Sequence, residues 1–138
     1  MTGAELSRSY LKKAQLRREI LTLLANREGW SDLVREAQEL VELTTKAMLR
    51  EAGIDPPRLH DMGPILVAEI DRFPVELGDK FRQLAAGSQW LRAQRELSFY
   101  GDVDWIPTER YTVIDGNKAL AIADLSLSLA EKIITTKS

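Results

Sequence analysis

Two short clusters concentrate the side chains able to act on a ligand. Arg58-Leu59-His60-Asp61 sets a guanidinium and the chain's one imidazole beside the expected start of a helix. Free backbone N–H groups and the positive end of the helix dipole favour an anion there, and an imidazole changes charge near physiological pH. The combination fits a phosphate-holding site. Asp61 opposes it by placing a carboxylate where the anion would sit, so the other reading is that His60 braces the loop. The second cluster is Arg110-Tyr111. Its guanidinium and phenol can stack on a base or a partner, or else anchor the loop that carries them.

Other chemistries are excluded by residue type. The chain has no cysteine, which removes disulfides, thiolate metal sites and a thiol nucleophile. One histidine cannot supply the paired Glu-x-x-His elements of a di-metal bundle, although Glu36, Glu39 and Glu42 lie at helical spacing. No metal or other cofactor is expected. Neither a Gly-Lys-Ser/Thr phosphate loop nor a Gly-x-Gly-x-x-Gly turn is present. Ser126 and Ser128 alternate with leucines on an apolar helix, where back-bonding to the helix is the ordinary role of a hydroxyl.

These clusters must be held by helices. In 138 residues there are only 8 glycines and 5 prolines, and the apolar positions recur every three or four residues. The pattern predicts one all-α domain of four to five helices. The first runs from about Ala4 to Asn26, with Leu16, Ile20, Leu23 and Leu24 as its inward stripe and Leu6 and Tyr10 before them. Gly29 is the expected left-handed stop and Ser31 the cap of a second helix, which carries Leu33, Val34, Ala37, Val41, Ala47 and Met48 to about Ala52. Gly53, Pro56 and Pro57 end it. Asp61 caps a third helix with Pro64 in its first turn and Ile65, Leu66 and Ile70 facing inward.

Phe73-Pro74 then interrupts. A fourth helix spans about Val75 to Ser98, with Gly87-Ser88 as a kink or break. Residues 99–116 read as a packed aromatic loop with Tyr100, Trp105, Ile106 and Tyr111, and the last helix runs from Lys118 to about Thr135. The short link between the first two helices makes them antiparallel neighbours.

The net charge of −2 gives no global field toward nucleic acid or anionic lipid. The charge is uneven along the chain, however. Arg8, Lys12, Lys13, Arg17, Arg18 and Arg27 make the first helix basic, whereas residues 28–57 are acidic. No apolar run is long enough to span a membrane, and the start of the chain lacks a signal-peptide pattern, so a cytoplasmic protein is expected.

The run Ala37-Gln38-Glu39-Leu40-Val41-Glu42, Lys46-Ala47-Met48-Leu49, Gly53-Ile54 and His60-Asp61-Met62-Gly63 resembles the HEPN (higher eukaryotes and prokaryotes nucleotide-binding) family. Arg110-Tyr111 before a final amphipathic helix is similar to the family's Arg-Tyr element, and the likeness spans about Ala4 to Ile134. The resemblance implies an up-and-down helical bundle that forms a homodimer. It further implies an RNase or toxin paired with a minimal nucleotidyltransferase, or a non-catalytic module binding nucleotide or RNA.

The catalytic branch of the family carries Arg, four to six residues, then His. Here a single residue separates Arg58 from His60, and Asp115, Gly116 and Asn117 stand where a histidine would follow Arg110. The expectation is therefore a non-catalytic module for a nucleotide, RNA or a minimal nucleotidyltransferase partner. Its contacts would be Arg58, His60, Arg110 and Tyr111, with Lys46 as a further phosphate contact. The alternatives are an RNase or toxin with a rearranged Arg58–His60 site, and a structural adaptor docking through the aromatic loop.

Overall fold

Three faces of one helix bury apolar side chains, and that helix organises the molecule. In the computed structural model, which describes residues 3–58 and 62–134, helix α2 (Trp30–Glu51) buries Leu33, Val34, Ala37, Leu40, Val41, Ala47, Met48 and Leu49. Positions three, four and seven apart fall on more than one stripe, so α2 needs more than one partner. It packs against α1 (Gly3–Asn26), against the later helix α4 (Gly78–Phe99) and against the last helix α6 (Val113–Ile133). Each of the fully buried leucines contributes about 1.5–3 kcal/mol relative to exposure.

The long helices run up and down. Arg17 pairs with Glu36 and Gly3 lies near the carbonyl of Arg50, so α1 and α2 are antiparallel. Arg95 reaches Glu39, and Gly87 meets Ile122, which set α4 antiparallel to α2 and to α6. A bidentate pair from Arg18 to Asp124, at 2.6 and 3.3 Å, closes the ring between α1 and α6. Two short helices, α3 (Gly63–Ala68) and α5 (Pro107–Arg110), complete the set. The all-α architecture matches the expectation from periodicity, and its up-and-down course matches the one that the family resemblance implies. Among the described residues, β-pairing amounts to a single antiparallel bridge between Asp102 and Trp105.

Several local expectations are corrected. On α1 the buried residues are Ser7, Leu11, Ala14 and Leu21, while Leu16 is 61% and Leu23 56% exposed. The helix has apolar residues on two faces, and the one without Leu16 packs inward. Its left-handed stop is Glu28 (φ 55°), not Gly29, whose amide bonds the Leu24 carbonyl at 2.8 Å. Gly29 is the cap position of α2, and Ser31 lies buried in the first turn.

Gly53 (φ 80°) does end α2 as expected, its amide and that of Ile54 returning to Arg50 and Leu49. The cap of α3 is Met62, with Pro64 in the first turn, while Asp61 lies outside the described residues.

Helix α4 is preceded by a 3-10 turn, Val75–Leu77, and continues through Gly87-Ser88 without a break. Gly87 serves packing instead: a Cβ there would stand 2.8 Å from Ile122. The last helix starts five residues earlier than Lys118. Thr112 and Asp115 form a reciprocal capping box, which places Asp115 and Gly116 in the first turn.

Candidate functional site

Antiparallel packing of α2 on α4 assembles a polar strip that follows one face of α2. Gln38 and Glu39 lie three and four residues after Arg35, Glu42 lies four and three residues after them, and Lys46 follows Glu42 by four, so all five project to the same side. Arg95 on α4 crosses to this strip. It donates from Nε to Gln38 Oε1 at 3.3 Å and pairs with Glu39 at 3.6 Å, while Arg35 pairs with the same Glu39 oxygen at 3.5 Å. Gln38 in turn donates to Glu42 at 3.3 Å, and Lys46 Nζ donates to the other Glu42 oxygen at 3.2 Å. Gln38 is buried, so this chain of bonds holds the guanidinium of Arg95 in a fixed place.

At the end of the strip nearest the start of α2, Arg35, Arg92, Arg95, Glu96 and Tyr100 line a groove of about 390 Å³. Arg92 and Arg95 are three apart on α4 and share a face. The groove carries an excess of positive charge in a protein whose net charge is negative. Tyr100, 75% exposed, stands at its mouth, and Arg35 lies over the ring of the adjacent Phe99 at 5.3 Å. Guanidinium groups arranged beside an exposed aromatic face can hold a phosphate and stack a base.

The residues expected from sequence do not come together. Lys46 belongs to the strip, joined to the arginine groove through Glu42 and Gln38. Arg58 is exposed beyond the C-terminal end of α2; Asp55 pairs with Arg50 and Arg72 reaches the Ala52 carbonyl there, so the connection stays at that end. His60 lies outside the described residues.

Arg110 and Tyr111 sit at the opposite end of α2, next to the start of α6, where Gly116 faces Trp30. A 22-residue helix is about 33 Å long, so Arg58 and Arg110 do not share one ligand-sized site.

Tyr111 is held as an anchor. It is 6% exposed, its ring meets Trp105 edge to face at 6.3 Å, and its hydroxyl donates to Gln94 Oε1 at 2.8 Å. Burial pushes its phenol above the usual value, and the nearby Asp115 carboxylate acts in the same direction. Arg110 lies over the Trp105 ring at 4.8 Å and donates to the Asp104 carbonyl at 3.3 Å. Both members of the cluster thus hold the aromatic loop down, although the Arg110 side remains exposed.

Sequence spacing alone contained part of the groove: Arg92-x-x-Arg95 ahead of Phe99-Tyr100 puts two guanidiniums and an aromatic pair on the last turns of one helix. That Arg35, 57 positions before Arg92, completes it is a tertiary fact. Among the described residues no group of acidic or histidine side chains could hold a metal ion. None of the described helices is long and apolar enough to cross a membrane. The family model described as the HEPN domain matches residues 7–137. No curated protein and no solved structure matches the chain.

Proposed function

Because the chain belongs to the HEPN domain family, we propose that it is a non-catalytic module that binds the phosphate of a nucleotide or of single-stranded RNA. The reading is carried by the groove of Arg35, Arg92 and Arg95 with Tyr100 at its mouth. Charge-assisted bonds from guanidinium to phosphate supply affinity, and the exposed phenol ring supplies a stacking surface. Lys46 is kept as an auxiliary contact at the far end of the strip; Arg58 and Arg110 are not part of this site. Fluorescence anisotropy with a labelled single-stranded RNA heptamer tests the proposal, with Arg92→Ala as the main variant. A loss of affinity supports it and an unchanged affinity rejects it.

A homodimer belongs to the same proposal. Leu16 and Leu23 are exposed on α1 beside Lys12, Lys13 and Glu19. Two copies of α1 laid antiparallel about Leu16 would set Lys13 of each opposite Glu19 of the other, burying the leucines between complementary charges. A cytoplasmic location is proposed with it.

One observation favours a second reading, that of a protein adaptor, including one for a minimal nucleotidyltransferase. Val103, Ile106 and Ile114 are exposed on the loop and on the start of α6, beside Asp102, Asp104 and Glu109. An apolar patch with an acidic rim suits a partner bearing a basic, amphipathic surface. Co-purification of such a partner, with no RNA affinity in the protein alone, would favour the adaptor.

A further inference from the structure

The arginine groove does not end at Arg35. The same guanidinium borders a second furrow of about 450 Å³, lined by Arg17, Ile20, Leu24, Asp32, Arg35, Glu36, Glu39 and Phe99. Its character is opposite to that of the first. Ile20, Leu24 and Phe99 give apolar walls, and Asp32, Glu36 and Glu39 outnumber Arg17 and Arg35. Sharing Arg35 as a lining residue, the two furrows supply a cationic arm and an acidic, apolar-walled arm to one candidate cleft. A ligand matching both has an anion at one end and, at the other, a flat apolar body with hydrogen-bond donors on its edge.

We propose that this cleft takes a guanine nucleotide unit of single-stranded RNA, phosphate in the arm of Arg35, Arg92 and Arg95, base in the arm of Asp32. The proposal rests on the phosphate-binding reading above and names the base. An ionised carboxylate only accepts hydrogen bonds, through two oxygens side by side. Guanine offers it two adjacent donors, the ring N1–H and the exocyclic amino group. Adenine and cytosine present one amino group each, flanked by an acceptor that a carboxylate repels, and uracil presents a single imino N–H.

The three carboxylates are not equivalent. Glu36 is engaged by Arg17 at 3.4 Å, and Glu39 by Arg35 and Arg95. Asp32 is exposed on the first turn of α2 and makes no ion pair with any described residue, which leaves its two oxygens for the base edge. Ile20, Leu24 and Phe99 cover the base faces, and Tyr100 is left for the neighbouring base of the strand.

The test is fluorescence anisotropy with four labelled RNA heptamers that are uridine throughout except for a central guanosine, inosine, adenosine or uridine. Guanosine is expected to bind about tenfold tighter than adenosine or uridine, with inosine, which lacks the amino group, between them. Asp32→Asn, which replaces one acceptor by a donor, should remove most of that preference, read as the ratio of the guanosine heptamer's affinity to the all-uridine heptamer's in the same variant, so that any general gain from the lost negative charge cancels.

Equal affinities for guanosine and adenosine, or a guanosine preference that survives Asp32→Asn, overturn the base assignment. Such a result leaves the arginine groove standing if Arg92→Ala still weakens every heptamer. Absence of binding by all four, or indifference of all four to Arg92→Ala, overturns both.

Discussion

The Tyr111 hydroxyl donates to Gln94 Oε1 at 2.8 Å, and through that bond the segment entering α6 is fastened to α4. Tyr111→Phe leaves the ring in place against Trp105 but strands the Gln94 carbonyl. The expected cost is about 0.5–1.5 kcal/mol in chemical denaturation, with RNA affinity unchanged. A variant of full stability and reduced RNA affinity would return Tyr111 to the binding site.

The same residue sets an alkaline limit. Burial holds the phenol above its ordinary value of 10.0, so the folded chain keeps a proton that the unfolded chain gives up. The stability linked to this group is intact below pH 10 and declines as pH rises through the folded pKa. Relative to the wild type, Tyr111→Phe should flatten the loss of denaturation midpoint above that pH.

Gly116 is needed by Trp30. A Cβ at residue 116 would stand 2.4 Å from the indole, a closed ring system that cannot fold out of the way. Gly116→Ala should therefore destabilise by about 1–3 kcal/mol, the usual cost of overpacking. Asn117→Ala, on the exposed neighbouring position, should stay within about 0.5 kcal/mol. Equal thermal shifts for the two would deny the close approach.

Leu16 separates the core role expected of it from an interface role. It is exposed on α1, so Leu16→Glu should leave the helical circular dichroism unchanged while converting a dimer to a monomer in light scattering. A wild-type monomer at micromolar concentration, or a dimer that tolerates the substitution, removes α1 from the interface.

How far these features were legible depends on whether local or tertiary forces decide them. Gly53 stops α2 as its residue type requires, and the four long helices follow from apolar spacing. On α1 two apolar stripes compete, and only the packing against α2 and α6 decides that Leu11, Ala14 and Leu21 turn inward. The early start of α6 had a local signal in Thr112-x-x-Asp115, a capping box, but Gly116 next to it reads as a turn former because its reason for being glycine is a ring on another helix.

The site follows the same rule. Arg110-Tyr111 stands out as a pair, yet Trp105, Asp104 and Gln94 occupy both side chains. Arg35 shows no relation to Arg92 and Arg95 until α4 folds back along α2.

Arg92 is the cleanest probe of phosphate binding in the Arg35, Arg92 and Arg95 groove, because Arg95 also braces Glu39 and Gln38. The deciding measurement is the affinity for a single-stranded RNA heptamer, titrated by anisotropy from about 50 to about 200 mM salt. Arg92→Ala should weaken binding about fivefold or more at the lower salt and reduce the slope of log affinity against log salt by about 0.7, one phosphate contact. Unchanged affinity and slope in Arg92→Ala, with both reduced by Arg58→Ala or Arg110→Ala, would contradict phosphate binding in this groove and move the site to Arg58 or Arg110.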